Sequence, residues 1–267
     1  MYSPHVGHNA KTPVDRTAGT ALRALMAVVA ALRSIVTYLA TLAYIAVAGP
    51  VGVLIAVLFR WKRGLYALGH TGVWLALGLS GIRYKVTGRD HVPDGPVVFC
   101  SNHESNVDPP VLFRALHSQL HVLYKAELHK FPIMGTVFDA GGFVAVERHN
   151  RERALASIGR GAESLRAGNS FLIFPEGTRS RSGTLLPFKK GGFIMAIEAQ
   201  VPIVPVAVQG GRAAMRKGSA ILRPVHVSVR IGTPVPTAGL ALTDRDQLIA
   251  QVRRQIQALL DEGPVWT

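Results

Sequence analysis

Cysteine is almost missing from this chain: among 267 residues there is one, Cys100. A single thiol cannot close an intramolecular disulfide, and it excludes a cysteine-based zinc site of the usual spacing; its best reading is core packing in a protein facing a reducing cytosol. Aromatic residues are only 7% of the sequence and sit mostly inside apolar runs, not between basic residues. The stacking-plus-charge pattern of a nucleic-acid binder is therefore absent, and no nucleic-acid partner is expected. Acidic residues are also scarce, 16 against 30 Lys and Arg, for a formal charge of +14. By itself that balance favours something anionic, whether lipid headgroups, nucleic acid or a phosphorylated substrate, without choosing among them.

Charge itself is missing from Ser34 to Phe59, 26 consecutive positions. That exceeds the roughly 20 apolar residues that span a bilayer core. Gly49-Pro50 falls inside the run and can kink one helix or turn two shorter ones. Lys11, Arg16, Arg23 and Arg33 precede the run and Arg60, Lys62 and Arg63 follow it. Basic residues on both flanks favour a hairpin with both ends cytoplasmic. A further run from Leu65 to Ile82 lacks Asp, Glu, Lys and Arg and carries Trp74, which suits an interfacial helix. A signal peptide is the weaker reading, because a second apolar run follows the "AVA" at 46–48 where a mature terminus should begin. The organisation expected is a disordered tail over 1–19, a helical membrane anchor over 20–82 and an α/β domain over 83–267.

Beyond Ile82 short β-rich runs alternate with amphipathic stretches. Strands are predicted at "RYKVT", "VVFCS", "HVLYK", "FVAVE", "SFLIF", "IVPVAV" and "HVSVRI", and helices over Pro109–His117, Arg151–Ala167, Lys190–Ala199 and Thr243–Asp261. This alternation predicts a mostly parallel or mixed sheet flanked by helices. With 48% hydrophobic residues the chain can bury such a core.

Two loops carry chemistry. "NHESNVD" sets His103 five positions before Asp108 at the expected carboxyl end of a strand, where open α/β sheets place their ligands. Asp108-Pro109 also reads as an ordinary N-cap and first helical position. That role leaves His103 unexplained. Imidazole can take a proton from a hydroxyl while a carboxylate fixes its tautomer, with no serine or cysteine nucleophile required. "FPEGTRS" follows a second strand and offers Glu176, Gly177, Thr178 and Arg179. Arginine grips phosphate through paired hydrogen bonds, glutamate can hold that arginine or a substrate hydroxyl, and glycine admits close backbone approach. A rival grouping of His103, Asp108, His117 and His121 would suggest a metal-dependent phosphatase; no metal is expected, because His117 and His121 straddle a helix end and a strand start.

Four blocks, "NHESNVD", "GGFVAVER", "FPEGTRS" and "VPIVPV", occur in an order that resembles the glycerophospholipid acyltransferase family, of the 1-acylglycerol-3-phosphate acyltransferase type, over about residues 96–208. The resemblance implies a membrane-associated enzyme on the cytoplasmic face. It would move an acyl group from acyl-CoA or acyl carrier protein, a substrate and not a cofactor, to the free hydroxyl of lysophosphatidic acid. It also implies residue roles: His103 as general base, Asp108 as its orienter, and Arg148, Glu176, Gly177, Thr178 and Arg179 at the glycerol phosphate, with Lys125 a lesser candidate. Val201, Pro202, Ile203, Val204 and Pro205 would belong to acyl-donor binding or to packing near the site. Glu147 stands where many relatives carry Asp. Glycerol 3-phosphate, a lyso-glycolipid or an amino-acid lipid remain alternative acceptors.

Overall fold

A computed structural model describes residues 13–131, 133–147 and 151–266. Of the tail expected over 1–19, residues 1–12 lie outside the described residues, as does Arg148, and 13–19 are helical instead of disordered. Helix α1 runs from Pro13 to Leu58 and α2 from Lys62 to Ser80. Seven strands follow: β1 (Ile82–Thr87), β2 (Val98–Ser101), β3 (Leu120–Lys125), β4 (Val144–Val146), β5 (Ser170–Ile173), β6 (Ile203–Gln209) and β7 (Val225–Ile231). Between and after them lie α3 (Asp108–Leu116), α4 (Met134–Gly141), α5 (Arg151–Arg166), α6 (Gly191–Ala199), α7 (Gly211–Ala214) and α8 (Arg245–Asp261).

The strands form one sheet in the order β1-β7-β6-β2-β5-β3-β4. Every pair is parallel except β6 with β7. Alternate side chains on the strands feed two cores, as a pleat buried on both faces requires. Phe99, Leu172, Val204 and Val206 meet α2 and α3 on one face. Val98, Cys100, Phe171 and Ile203 meet α5, α6 and α8 on the other.

Helix α1 continues through Pro50, so the chain does not turn at Gly49-Pro50. The turn comes at Phe59–Trp61, with Arg60 at φ 51°. The apolar run expected as a separate interfacial helix is α2, folded back along α1. Small residues permit the close approach: a Cβ on Gly52 would stand 2.7 Å from Leu65 Cδ1, and one on Gly72 2.7 Å from Tyr44 Cε1. The Tyr44 hydroxyl also donates to Leu68 O at 2.9 Å. Large apolar side chains along α1, including Leu25, Leu32, Leu39, Leu42 and Leu54, stay exposed. By length and composition α1 could cross a membrane over Leu22–Leu58, and only 17% of its most apolar stretch is buried.

Candidate active site

Strand register decides which loops can meet. Cys100 pairs with Ile173, Ser101 with Val206, Val122 with Leu172 and Lys125 with Val146. The carboxyl ends of β2, β5, β6, β3 and β4 therefore open on one edge of the sheet. Beyond them come His103, Phe174–Ser180, Gly210–Arg212, Lys125 and Glu147.

Asn102 prepares the exit from β2. Its amide accepts from Val208 N–H at 2.7 Å and donates to Val208 O at 2.9 Å, extending the pairing with β6 through a side chain. The chain then bends and presents His103. Asp108, fully buried, sends Oδ2 back onto this loop, accepting from His103 Nδ1 at 2.8 Å and from the Glu104 and Ser105 N–H groups at 2.7 Å each. The expected helix cap is thus corrected. Helix α3 begins at Asp108, its N-cap position is Val107, and no side chain caps it. The carboxylate serves the loop and the imidazole instead of the helix.

Because a carboxylate accepts, Nδ1 carries a proton, and in the neutral ring Nε2 keeps its lone pair. The His103 side chain is 15% exposed, enough for one face of the ring to be reached. The other side lies against Phe174, with centroids 4.3 Å apart. Ser105 Oγ donates to Met215 O and Ser101 Oγ to Asn102 O, so both hydroxyls are engaged with backbone. Cys100 is fully buried in β2.

The second loop is tied to the first on both sides of His103. The His103 N–H donates to Glu176 Oε1 at 2.9 Å, and Ser180 N–H donates to His103 O at 2.8 Å. Glu176 also accepts Leu186 N–H at 3.0 Å on Oε2. It was expected at the substrate, yet it is 4% exposed with both oxygens holding backbone. Burial pushes its carboxyl above the usual range, and the two N–H donors oppose that shift. Gly177 adopts φ 65°, and a Cβ there would press on Lys189 Cε at 2.8 Å. Thr178 Oγ1 and Arg179 O accept from Lys217 Nζ at 3.1 and 2.9 Å. Arg179 is half-buried, and its guanidinium makes no hydrogen bond to the described residues.

Lys125 shares this edge two strands from β2, roughly 10 Å away. It pairs with Glu127 at 3.1 Å. Glu147 pairs with Arg153 at 2.8 Å. The fourth block lies elsewhere. Val201–Pro205 leads into and begins β6, at the opposite edge, and Val201, Ile203 and Val204 are buried. Those side chains pack the core beneath the site and do not reach its open edge. Pro205 fits an interior strand because β7 ends beside it: Gly232 N–H donates to Pro205 O, and the next bridge is Ile203 with Val235. The rival metal grouping is divided, since His117 and His121 lie at that opposite edge too, flanking the start of β3.

Three residues were missed by sequence reasoning. Phe174 was read only as strand. Glu104 is buried and accepts Arg212 N–H at 3.2 Å, linking the histidine loop to α7. Burial, then the neighbouring Asp108, raises its pKa. Gly211 lies so close to Asp108 Oδ1 that a Cβ would collide with it. Their partners are more than 70 residues distant in sequence, so no local signal marks them.

The chain has known counterparts. Residues 83–209 match the family model described as Acyltransferase. The chain belongs to the acyltransferase family. The 1-acyl-sn-glycerol-3-phosphate acyltransferase of Limnanthes douglasii is 29% identical over 206 residues, 75% of this chain and 73% of the relative. The human 1-acyl-sn-glycerol-3-phosphate acyltransferase alpha is 32% identical over 186 residues, 69% and 66% of the two chains. The crystal structure of the LPA acyltransferase PlsC from Thermotoga maritima superposes with a TM-score of 0.78 at 24% identity, covering 90% of this chain and 98% of that one. The fold is thus the one PlsC adopts, and the enzyme is of the 1-acylglycerol-3-phosphate acyltransferase type.

Proposed function

We propose that this acyltransferase moves a fatty acyl group from the thioester of acyl-CoA or acyl carrier protein to the free hydroxyl of lysophosphatidic acid, forming phosphatidic acid. The observation that carries the reading is the 2.8 Å hydrogen bond from His103 Nδ1 to Asp108 Oδ2, which leaves Nε2 as the ring nitrogen able to accept a proton, beside the loop that bears Arg179. In the step, Nε2 takes the hydroxyl proton as the oxygen attacks the thioester carbonyl. The C–S bond then breaks, and the imidazolium returns the proton to the departing thiolate. No acyl-enzyme forms: the neighbouring serines are bonded to backbone and Cys100 is buried. Holding both substrates together can supply about 7–11 kcal/mol, and a positioned base about 10²–10⁴-fold.

Arg179 grips the acceptor phosphate, with Lys125 as a second cation and Arg148 a further candidate outside the described residues. The apolar face of α1 seats the protein in a bilayer, where acceptor and product reside, with the catalytic domain on the cytoplasmic side. Steady-state kinetics of Arg179→Gln test the acceptor assignment. KM for lysophosphatidic acid should rise about tenfold or more with kcat changed much less, as loss of uniform phosphate binding requires. An unchanged KM, or equal activity on an acceptor without phosphate, would remove lysophosphatidic acid as the substrate.

A further inference from the structure

A second opening lies at the edge of the sheet opposite His103. Helix α3 starts at Asp108 in the histidine loop and, after nine residues or about 13 Å, ends where this cleft begins. The cleft holds about 900 Å³ between α2, the end of α3 and the turn into β3; Arg63, His70, Arg89, Arg114, His117 and Gln119 contribute to its wall. That volume falls within the usual range of ligand sites.

The walls are fixed before any ligand arrives. His70 Nε2 donates to Ser118 O at 3.0 Å, joining α2 to the turn after α3. Its ring stacks on Phe113 with centroids 4.5 Å apart. The charges are not compensated. Arg63, Arg89 and Arg114 form no ion pair and no side-chain hydrogen bond with the described residues, whereas carboxylates such as Glu127, Glu147 and Asp246 elsewhere are paired with cations. Arg114 and His117, after burial itself, lower the proton affinity of His70, as a positive field would. Three guanidiniums line one cleft with no acidic residue among the described residues of its lining, and guanidinium geometry suits phosphate oxygens.

Position adds a second argument. The cleft opens beside the turn between α1 and α2, where Phe59 is 73% and Trp61 56% exposed. With that turn in a bilayer, Arg63 and its partners stand at headgroup depth.

We propose that this cleft is a second phosphate-binding site, separate from the acyl-transfer edge, that takes a phosphate group carried by an anionic phospholipid or by a free solute. The assignment does not depend on the chemistry of His103. The full chain in non-ionic detergent, carrying Arg179→Gln so that the acceptor site contributes little, is titrated calorimetrically with dihexanoylphosphatidylglycerol and, separately, with inorganic phosphate. Saturable binding is expected. It should weaken about tenfold or more in an added Arg63→Gln/Arg114→Gln pair and by less than about twofold in Arg83→Gln/Arg254→Gln, which removes equal charge elsewhere. Tighter binding of the lipid than of inorganic phosphate assigns the headgroup, and equal binding assigns a soluble phosphate. Absence of saturation with both ligands, or equal weakening in the two charge-removed pairs, would overturn the proposal. All four arginines are exposed, so unchanged melting of the variants separates lost binding from lost fold.

Discussion

Asp108 Oδ2 holds the Nδ1 proton of His103 and two loop N–H groups at once, which fixes both the tautomer and the ring's place. Asparagine would preserve the shape but present an amide, able to accept on one atom only and to donate where the imidazole now donates. Asp108→Asn should therefore lower kcat by about 10²–10⁴ with KM for either substrate changed little. Parallel kinetics of the two proteins check this, and a kcat within threefold of wild type would deny Asp108 the orienting role. At this scale His103 and Asp108 were legible because their spacing and residue types already suggest a base and its carboxylate. The place of Glu176 was not. Its partners are the backbone of His103 and of Leu186, and the first is brought near only when β2 and β5 pair. A glutamate in a polar loop reads as a ligand holder until the fold shows which N–H groups need it.

Among the elements, the seven strands emerged where alternating β-branched residues marked them, and α3, α5, α6 and α8 within about two residues of expectation. Helix α4 was invisible, since Gly135 and Gly141 in eight residues give little helical signal. Packing supplies what propensity lacks there: a Cβ on Gly49 of α1 would stand 2.8 Å from Ile133 Cγ2, just before α4. Strand β3 holds a buried histidine whose effect is measurable. Burial, with Lys62 adding, pushes His121 from 6.5 down to about 4. Between those values the unfolded chain binds the proton and the folded one does not. Stability should fall as pH drops from about 6.5 to about 4, by at most about 3 kcal/mol from this group. His121→Leu, which remains apolar beside Tyr66, Phe143 and Phe171, should flatten that part of the slope. Denaturant titrations across the window decide it, and identical slopes for the two proteins would contradict the assignment.

The whole molecule pairs an apolar helical hairpin with a sheet whose active edge is built from loops after five parallel strands. Strand order was not legible, because registers among β6, β2 and β5 are set by packing between distant segments. The reversal of β7 was equally hidden: its sequence alternates like the others, and only pairing of Val206 with Ile231 reveals its direction. The apolar helices were legible as composition, but the hairpin expected inside Ser34–Phe59 is not formed: α1 continues through Pro50, and the chain reverses only at Phe59–Trp61. If the exposed face of α1 holds the protein on a bilayer, changing Leu32, Leu39 and Leu42 to Ser should weaken association by about 1.5–3 kcal/mol per side chain. Vesicle flotation should then move the protein from the lipid to the soluble fraction, and unchanged flotation would place the membrane contact elsewhere.

If His103 takes the acceptor's proton in a direct transfer, thiol release and product formation are coupled. Wild type and His103→Ala, solubilised in detergent and matched in melting temperature, should be given acyl-CoA with and without lysophosphatidic acid, following free thiol and phosphatidic acid together. Thiol release by wild type is expected only with acceptor, matched by product, with a loss of both by about 10²–10⁴ in His103→Ala. Product formation by His103→Ala near the wild-type rate would exclude His103 as the base, and a stoichiometric thiol burst from wild type without acceptor would exclude direct transfer.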